Sequence, residues 1–77
     1  MSRITPVTWQ ILECIFQKDG FIFERQTGRH RAYNKTGISR PIIIPVYKEI
    51  DVNIIKANIQ TAKMTRERYF ELLSKCK

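Results

Sequence analysis

Apolar positions recur at two different periods along this chain, and the changes of period divide it into six elements. Ile11, Leu12, Ile15 and Phe16, with Thr8 or Trp9 one turn earlier, fall at the three- and four-residue spacing of a helix. Thr5 is expected to cap that helix and Pro6 to occupy its first turn. Asp19-Gly20 is expected to end it, with Gly20 left-handed and swinging the chain into a strand. From Phe21 to Pro45 the runs turn aromatic and β-branched, and Gly-containing breaks at Thr27-Gly28 and Lys35-Thr36-Gly37 divide them into FIFERQ, HRAYN and PIIIP. That pattern predicts a three-stranded antiparallel meander. In the first strand Phe21 and Phe23 share one face, with Ile22, Glu24 and Gln26 on the other; in the second, His30 and Ala32 oppose Arg31 and Tyr33. The register of the first hairpin stays open. A two-residue turn at Thr27-Gly28 pairs Arg25 with His30, whereas a three-residue loop pairs Gln26 with His30, and a slip of one residue reverses every facing. The prolines of PIIIP, lacking a ladder donor, favour an edge position.

Helical spacing resumes after Asp51, a good N-cap, with Val52, Ile55, Ile59 and Ala62. Lys63-Met64 interrupts it, and Thr65 is expected to cap a last short helix whose Tyr69, Leu72 and Leu73 face inward. The expected order is therefore α-β-β-β-α-α. This is an α+β domain with a three-stranded antiparallel sheet, helices packed on one face and the other face open. Double-stranded-RNA-binding domains share that fold class, although a fold by itself licenses no function.

Length and charge narrow the partners. Seventy-seven residues make one domain, 1–77, near the lower limit for folding without disulfides, a metal or a partner. A net charge of +7 on so short a chain implies an anionic partner, nucleic acid before an acidic protein or a membrane surface. No apolar run is long enough to cross a bilayer, and Met1-Ser2-Arg3 leads into no signal-peptide core. Cys14 and Cys76 make no disulfide framework and have no further ligand at metal-binding spacing. Cys14 is read as a small core residue, and the chain as cytosolic, reduced and free of metal and other cofactors.

The charge is concentrated where the strands are. Arg25, Arg29, Arg31, Lys35, Arg40 and Lys48 follow one another without an Asp or Glu before Glu49. Such cations neutralise backbone phosphates and give affinity without sequence preference, although a charge cluster can also be plain solvated surface. Tyr33 or Tyr47 could stack on an exposed base, with ordinary packing the better reading for Tyr33. The single histidine, His30, stands just past a Gly turn between two arginines. A structural role is the bland reading. The sharper one is chemical: RNA cleavage without a metal needs a base for the 2′-hydroxyl proton and cations around the charged transition state. Histidine suits the first role and arginine the second. An acid for the leaving 5′-oxygen is not evident; Tyr33, Tyr47 and His30 itself are the candidates. No Gly-rich phosphate loop and no Ser/His/Asp set accompanies His30.

These residues in this order resemble the HicA-type (YcfA-like) mRNA interferase toxins over nearly the whole chain. Ile4-Thr5-Pro6-Val7 before an apolar helix and Gly20-Phe21 is similar to that family's opening. Gly28-Arg29-His30 falls at its Gly-x-His turn, three residues before Tyr33. Ile44-Pro45, Ile50-Asp51-Val52, Ile54-Ile55-Lys56 and Met64-Thr65-Arg66-Glu67 with Tyr69 resemble the remainder. The resemblance implies a dsRNA-binding-like fold, a ribonuclease toxin acting on single-stranded mRNA, a single catalytic histidine at His30 and a HicB-type antitoxin as partner. Two departures stand out. Many members carry a second histidine near the place of Tyr47, and the usual Ala-Gly-Ile before the last helix is Ala62-Lys63-Met64 here. A non-catalytic RNA-binding module and a protein that docks on an acidic partner are the rival readings.

Overall fold

A computed structural model describes residues 3–77; the reading of Met1 and Ser2 lies outside the described residues. The elements are helix α1 (Trp9–Lys18), strands β1 (Ile22–Thr27), β2 (His30–Asn34) and β3 (Ile42–Pro45), and helices α2 (Val52–Thr61) and α3 (Arg66–Cys76). This is the expected α-β-β-β-α-α order, an α+β fold. The strands form one antiparallel sheet in the order β1-β2-β3, which puts the proline-bounded strand at an edge as expected. No helix among the described residues is long and apolar enough to cross a membrane.

The helix starts follow side-chain capping. Thr8, not Thr5, caps α1: its hydroxyl accepts from the Ile11 N–H at 3.2 Å. The chain before it is held extended, because the Val7 carbonyl accepts from the Ile50 N–H at 2.7 Å and the two residues form an antiparallel bridge. Pro6 therefore belongs to that extended entry. Asp51 and Thr65 cap α2 and α3 as expected, accepting from Asn53 and Arg68 at 2.8 and 3.0 Å. Asp19 closes α1, and Gly20 takes φ 105° before the chain enters the sheet.

Leu12, Ile15 and Phe16 of α1, Tyr33, Ile42 and Ile44 of the sheet, Ile55 and Ile59 of α2, and Tyr69, Leu72 and Leu73 of α3 meet in one core. Along the β3 edge, the side-chain amide of buried Asn58 on α2 donates to the Ile43 carbonyl at 3.1 Å. That bond pairs an outward-facing edge carbonyl and satisfies the buried amide of Asn58.

Cys14 and Cys76 form a disulfide that ties α1 to the last turn of α3, with a Cα–Cα distance of 5.9 Å. The reading of Cys14 as a small core residue in a reduced chain is corrected by this. Sequence spacing carries no information about a contact made 62 residues apart.

Candidate functional site

The hairpin between β1 and β2 turns on two residues, Gly28 and Arg29, and pairs Thr27 with His30. Neither expected register is the one found. Gly28 has φ 59° and sits at the first central place of the turn, where glycine removes the Cβ clash of a positive φ. A register shift between Phe23 and Arg25 leaves Glu24 as an extra residue, a β-bulge. Because of it Gln26 joins Phe23 on one face, while Ile22, Arg25 and Thr27 lie on the other. On β2 the expected alternation holds, with Arg31 and Tyr33 toward α1, and His30, Ala32 and Asn34 on the open face.

His30 is solvent-exposed at the start of the central strand, between Thr27 and Pro45. Arg25, paired with Ala32, is its diagonal neighbour on the same face, a relation that puts the two residues roughly 7–8 Å apart, within reach of a long side chain. Arg29 is exposed in the turn, and its carbonyl accepts from the Val46 N–H at 2.8 Å. That bond holds the Val46-Tyr47-Lys48 segment beside the turn. Tyr47 is 42% exposed and Lys48 is exposed. An imidazole and two guanidiniums thus stand at one end of the open face, while Tyr47 and Lys48 lead away toward the α1 entry, where the Tyr47 carbonyl accepts from the Trp9 N–H at 3.3 Å and Lys48 lies beside Thr5, Val7 and Thr8.

The six expected cations do not all stay available. Arg31 turns to the opposite face, where its Nε donates to the Tyr33 hydroxyl at 2.9 Å and its terminal nitrogens to Gln26 at 2.8 Å and Glu13 at 2.9 Å. Its guanidinium also lies over the rings of Phe23 at 4.2 Å and Trp9 at 5.1 Å. The Tyr33 bond first, and Glu13 after it, hold the Arg31 pKa above its ordinary value. Lys35 is paired with Asp19 at 3.2 Å, at the far end of β2 from His30. Arg25 pairs only with Glu24, at 3.0 Å and with both side chains in solvent, a bond worth about 0–1 kcal/mol. Arg29, Arg40 and Lys48 enter no ion pair with the described residues. Arg40 stands in the β2–β3 loop, apart from the His30 end.

Glu13 is the residue that sequence reasoning passed over. It accepts from both Arg31 and the Tyr33 hydroxyl and so fastens α1 to the central strand directly behind His30. Its signal was present: an acid at the helical spacing Trp9-Glu13-Phe16, inside the apolar stripe. Tyr33 is fully buried, so packing is its role, as expected. Burial first, then the Glu13 bond, push its phenol up to about 12, and burial does the same for Tyr69. A phenol so held, on the face away from His30, is poorly placed to protonate a leaving oxygen there.

These two tyrosines set an alkaline limit. Unfolded tyrosines lose their protons near pH 10, whereas the folded chain keeps both until about 12. Their contribution to stability is therefore complete below about pH 10 and is lost as pH rises through about 12. Denaturant unfolding across that window should show falling stability, with the fall shallower in Tyr69→Phe. A Tyr69→Phe curve that drops as steeply as wild type would contradict the assignment.

Residues 9–64 match the family model described as the HicA toxin of bacterial toxin–antitoxin systems. Comparison with curated proteins finds no match.

Proposed function

The chain belongs to the HicA toxin family of bacterial toxin–antitoxin systems, and on that premise we propose that it is an endoribonuclease that cuts mRNA without a metal, using His30 as general base. The observation that carries this reading is the exposed imidazole at the Gly28-Arg29 turn, with Arg29 next to it in the turn, Arg25 diagonal to it on the same face and Arg31 withdrawn to the other face. In the proposed step His30 takes the 2′-hydroxyl proton and O2′ attacks the adjacent phosphorus. The P–O5′ bond then breaks, and the departing oxygen takes a proton from His30 or solvent. Arg29 and Arg25 stabilise the charge that builds on the phosphoryl oxygens.

Family membership implies an antitoxin partner. We take it to be a HicB-type protein whose acidic surface covers Arg29 and His30, since complementary charge gives fast capture of a harmful nuclease.

Incubation with labelled RNA in EDTA tests the reading. Cleavage supports it; RNA retained uncut makes the protein a non-catalytic RNA-binding module, and neither result leaves only a docking protein. Binding should also be electrostatic. With Arg25, Arg29, Arg40 and Lys48 on phosphates, and Arg31 and Lys35 engaged by Glu13 and Asp19, affinity should fall by about 3 log units per log unit of salt, at roughly 0.7 per contact. A flat response would remove the basic face from the binding model.

A further inference from the structure

A second basic site lies at the other end of the sheet. The β2–β3 loop and the C-terminal end of α2 border a cleft of about 400 Å³ whose polar lining is Ser39, Arg40, Gln60, Thr61 and Lys63, with Ile38 and Ala57 as its apolar part. No carboxylate lines it. Neither Arg40 nor Lys63 enters an ion pair with the described residues, whereas Arg31, Lys35 and Arg68 are matched by Glu13, Asp19 and Glu71. Two unmatched cations on one cleft repel each other, and an anion between them relieves that repulsion. The hydroxyls of Ser39 and Thr61 and the amide of Gln60 add donors of the kind that phosphate oxygens accept from.

The backbone at Lys63 points the same way. Its φ is 55°, and the other positive-φ positions among the described residues are Gly20, Gly28 and Gly37. A side chain in that left-handed region costs roughly 1–2 kcal/mol, which glycine avoids. The chain thus places a lysine at a turn where glycine would be less strained, and the lysine brings a charge to the cleft. Packing gives no reason for it, since Lys63 is exposed.

We propose that this cleft binds a backbone phosphate of the RNA strand, at a distance from the bond that is cut; the proposal rests on the ribonuclease reading above. β2 runs from His30 to Asn34, roughly 13 Å at the usual rise per residue, and the β2–β3 loop leaves from its far end. The phosphate held by Arg40 and Lys63 is therefore not the scissile one. The cleft is a second anchor that fixes how the strand lies across the domain.

Lys63→Gly separates binding from folding, because it should leave the melting temperature unchanged or raised. Using RNA made uncleavable by 2′-O-methylation, Lys63→Gly should weaken binding several-fold and lower the salt slope by about 0.7. Arg40→Gln should do the same. Arg29→Gln, at the His30 end, is the control for the underlying reading. If Lys63→Gly and Arg40→Gln bind with wild-type affinity and slope while Arg29→Gln is weakened, the second anchor is wrong and the ribonuclease reading stands. If wild type binds no RNA, both fail. Inorganic phosphate binding as tightly as the RNA, and lost in Lys63→Gly, would make this a free-phosphate site. Loss of an acidic peptide alone would assign the cleft to a protein partner. Either result overturns the proposal.

Discussion

Replacing His30 by alanine is expected to lower single-turnover RNA cleavage by about 10²–10⁴-fold, the contribution of a positioned acid/base. Fold and RNA affinity should survive. His30 is exposed at the edge of a turn, so truncation opens no core cavity, and surface changes usually stay within about 0.5 kcal/mol. Its strand is held from behind by the Arg31, Tyr33 and Glu13 bonds, none of which involves His30. In the proposed reading phosphate binding rests on the cations Arg25, Arg29, Arg40 and Lys48 rather than on His30. Melting temperature, affinity and cleavage are measured side by side at one salt concentration. A variant that cleaves within a few-fold of wild type removes His30 as the base, and one that loses its fold restores the structural reading of this histidine.

The second large effect concerns stability. Reducing the Cys14–Cys76 bond, or substituting Cys76→Ser, should destabilise the chain by about 2–4 kcal/mol. The cross-link spans 62 residues of a 77-residue chain, so it removes much of the freedom of the unfolded state. In a domain of this size the melting temperature should drop by at least ~8 °C. The fold should persist when reduced, because α1 and α3 also share core residues Leu12, Ile15, Phe16, Tyr69, Leu72 and Leu73. Calorimetry with and without reductant decides it. Equal melting in the two conditions would return Cys14 to the role of a small apolar residue.

What was legible in the sequence was local. The stripes Leu12-Ile15-Phe16 and Val52-Ile55-Ile59 and the caps Asp51 and Thr65 depend on neighbours within a turn or two, and they led to the right elements and fold class. The alternation of His30 and Ala32 against Arg31 and Tyr33 was equally local. It grouped the imidazole with Ala32 whatever its partners, and the fold then showed that this is the open face. Register was not local. It depended on Gly28-Arg29 as the turn pair and on the Glu24 bulge, and a single extra residue moved Gln26 to the opposite face. The α1 start shifted from Thr5 to Thr8 because the Val7 backbone was claimed by Ile50, some forty residues on in sequence.

The charge pattern was incomplete for the same reason. Read in one dimension, Arg25 to Lys48 contains six cations and no acid after Glu24. In three dimensions α1 supplies Glu13 to Arg31, and the residue that caps it supplies Asp19 to Lys35. Two of the six thereby make ion pairs within the protein. Lys63, outside the basic segment, comes into view only once its backbone conformation and the Arg40 cleft are known.

The chemistry of the ends left on the RNA tests the central claim most directly. Proton removal from the 2′-hydroxyl by His30 commits the 2′-oxygen as nucleophile, so cleavage in EDTA should leave a 2′,3′-cyclic phosphate on one fragment and a 5′-hydroxyl on the other. A strand with 2′-deoxyribose at the cut position should remain whole. A 3′-hydroxyl paired with a 5′-phosphate, or cutting of the deoxy-substituted strand, would mean that water is the nucleophile and would contradict this account.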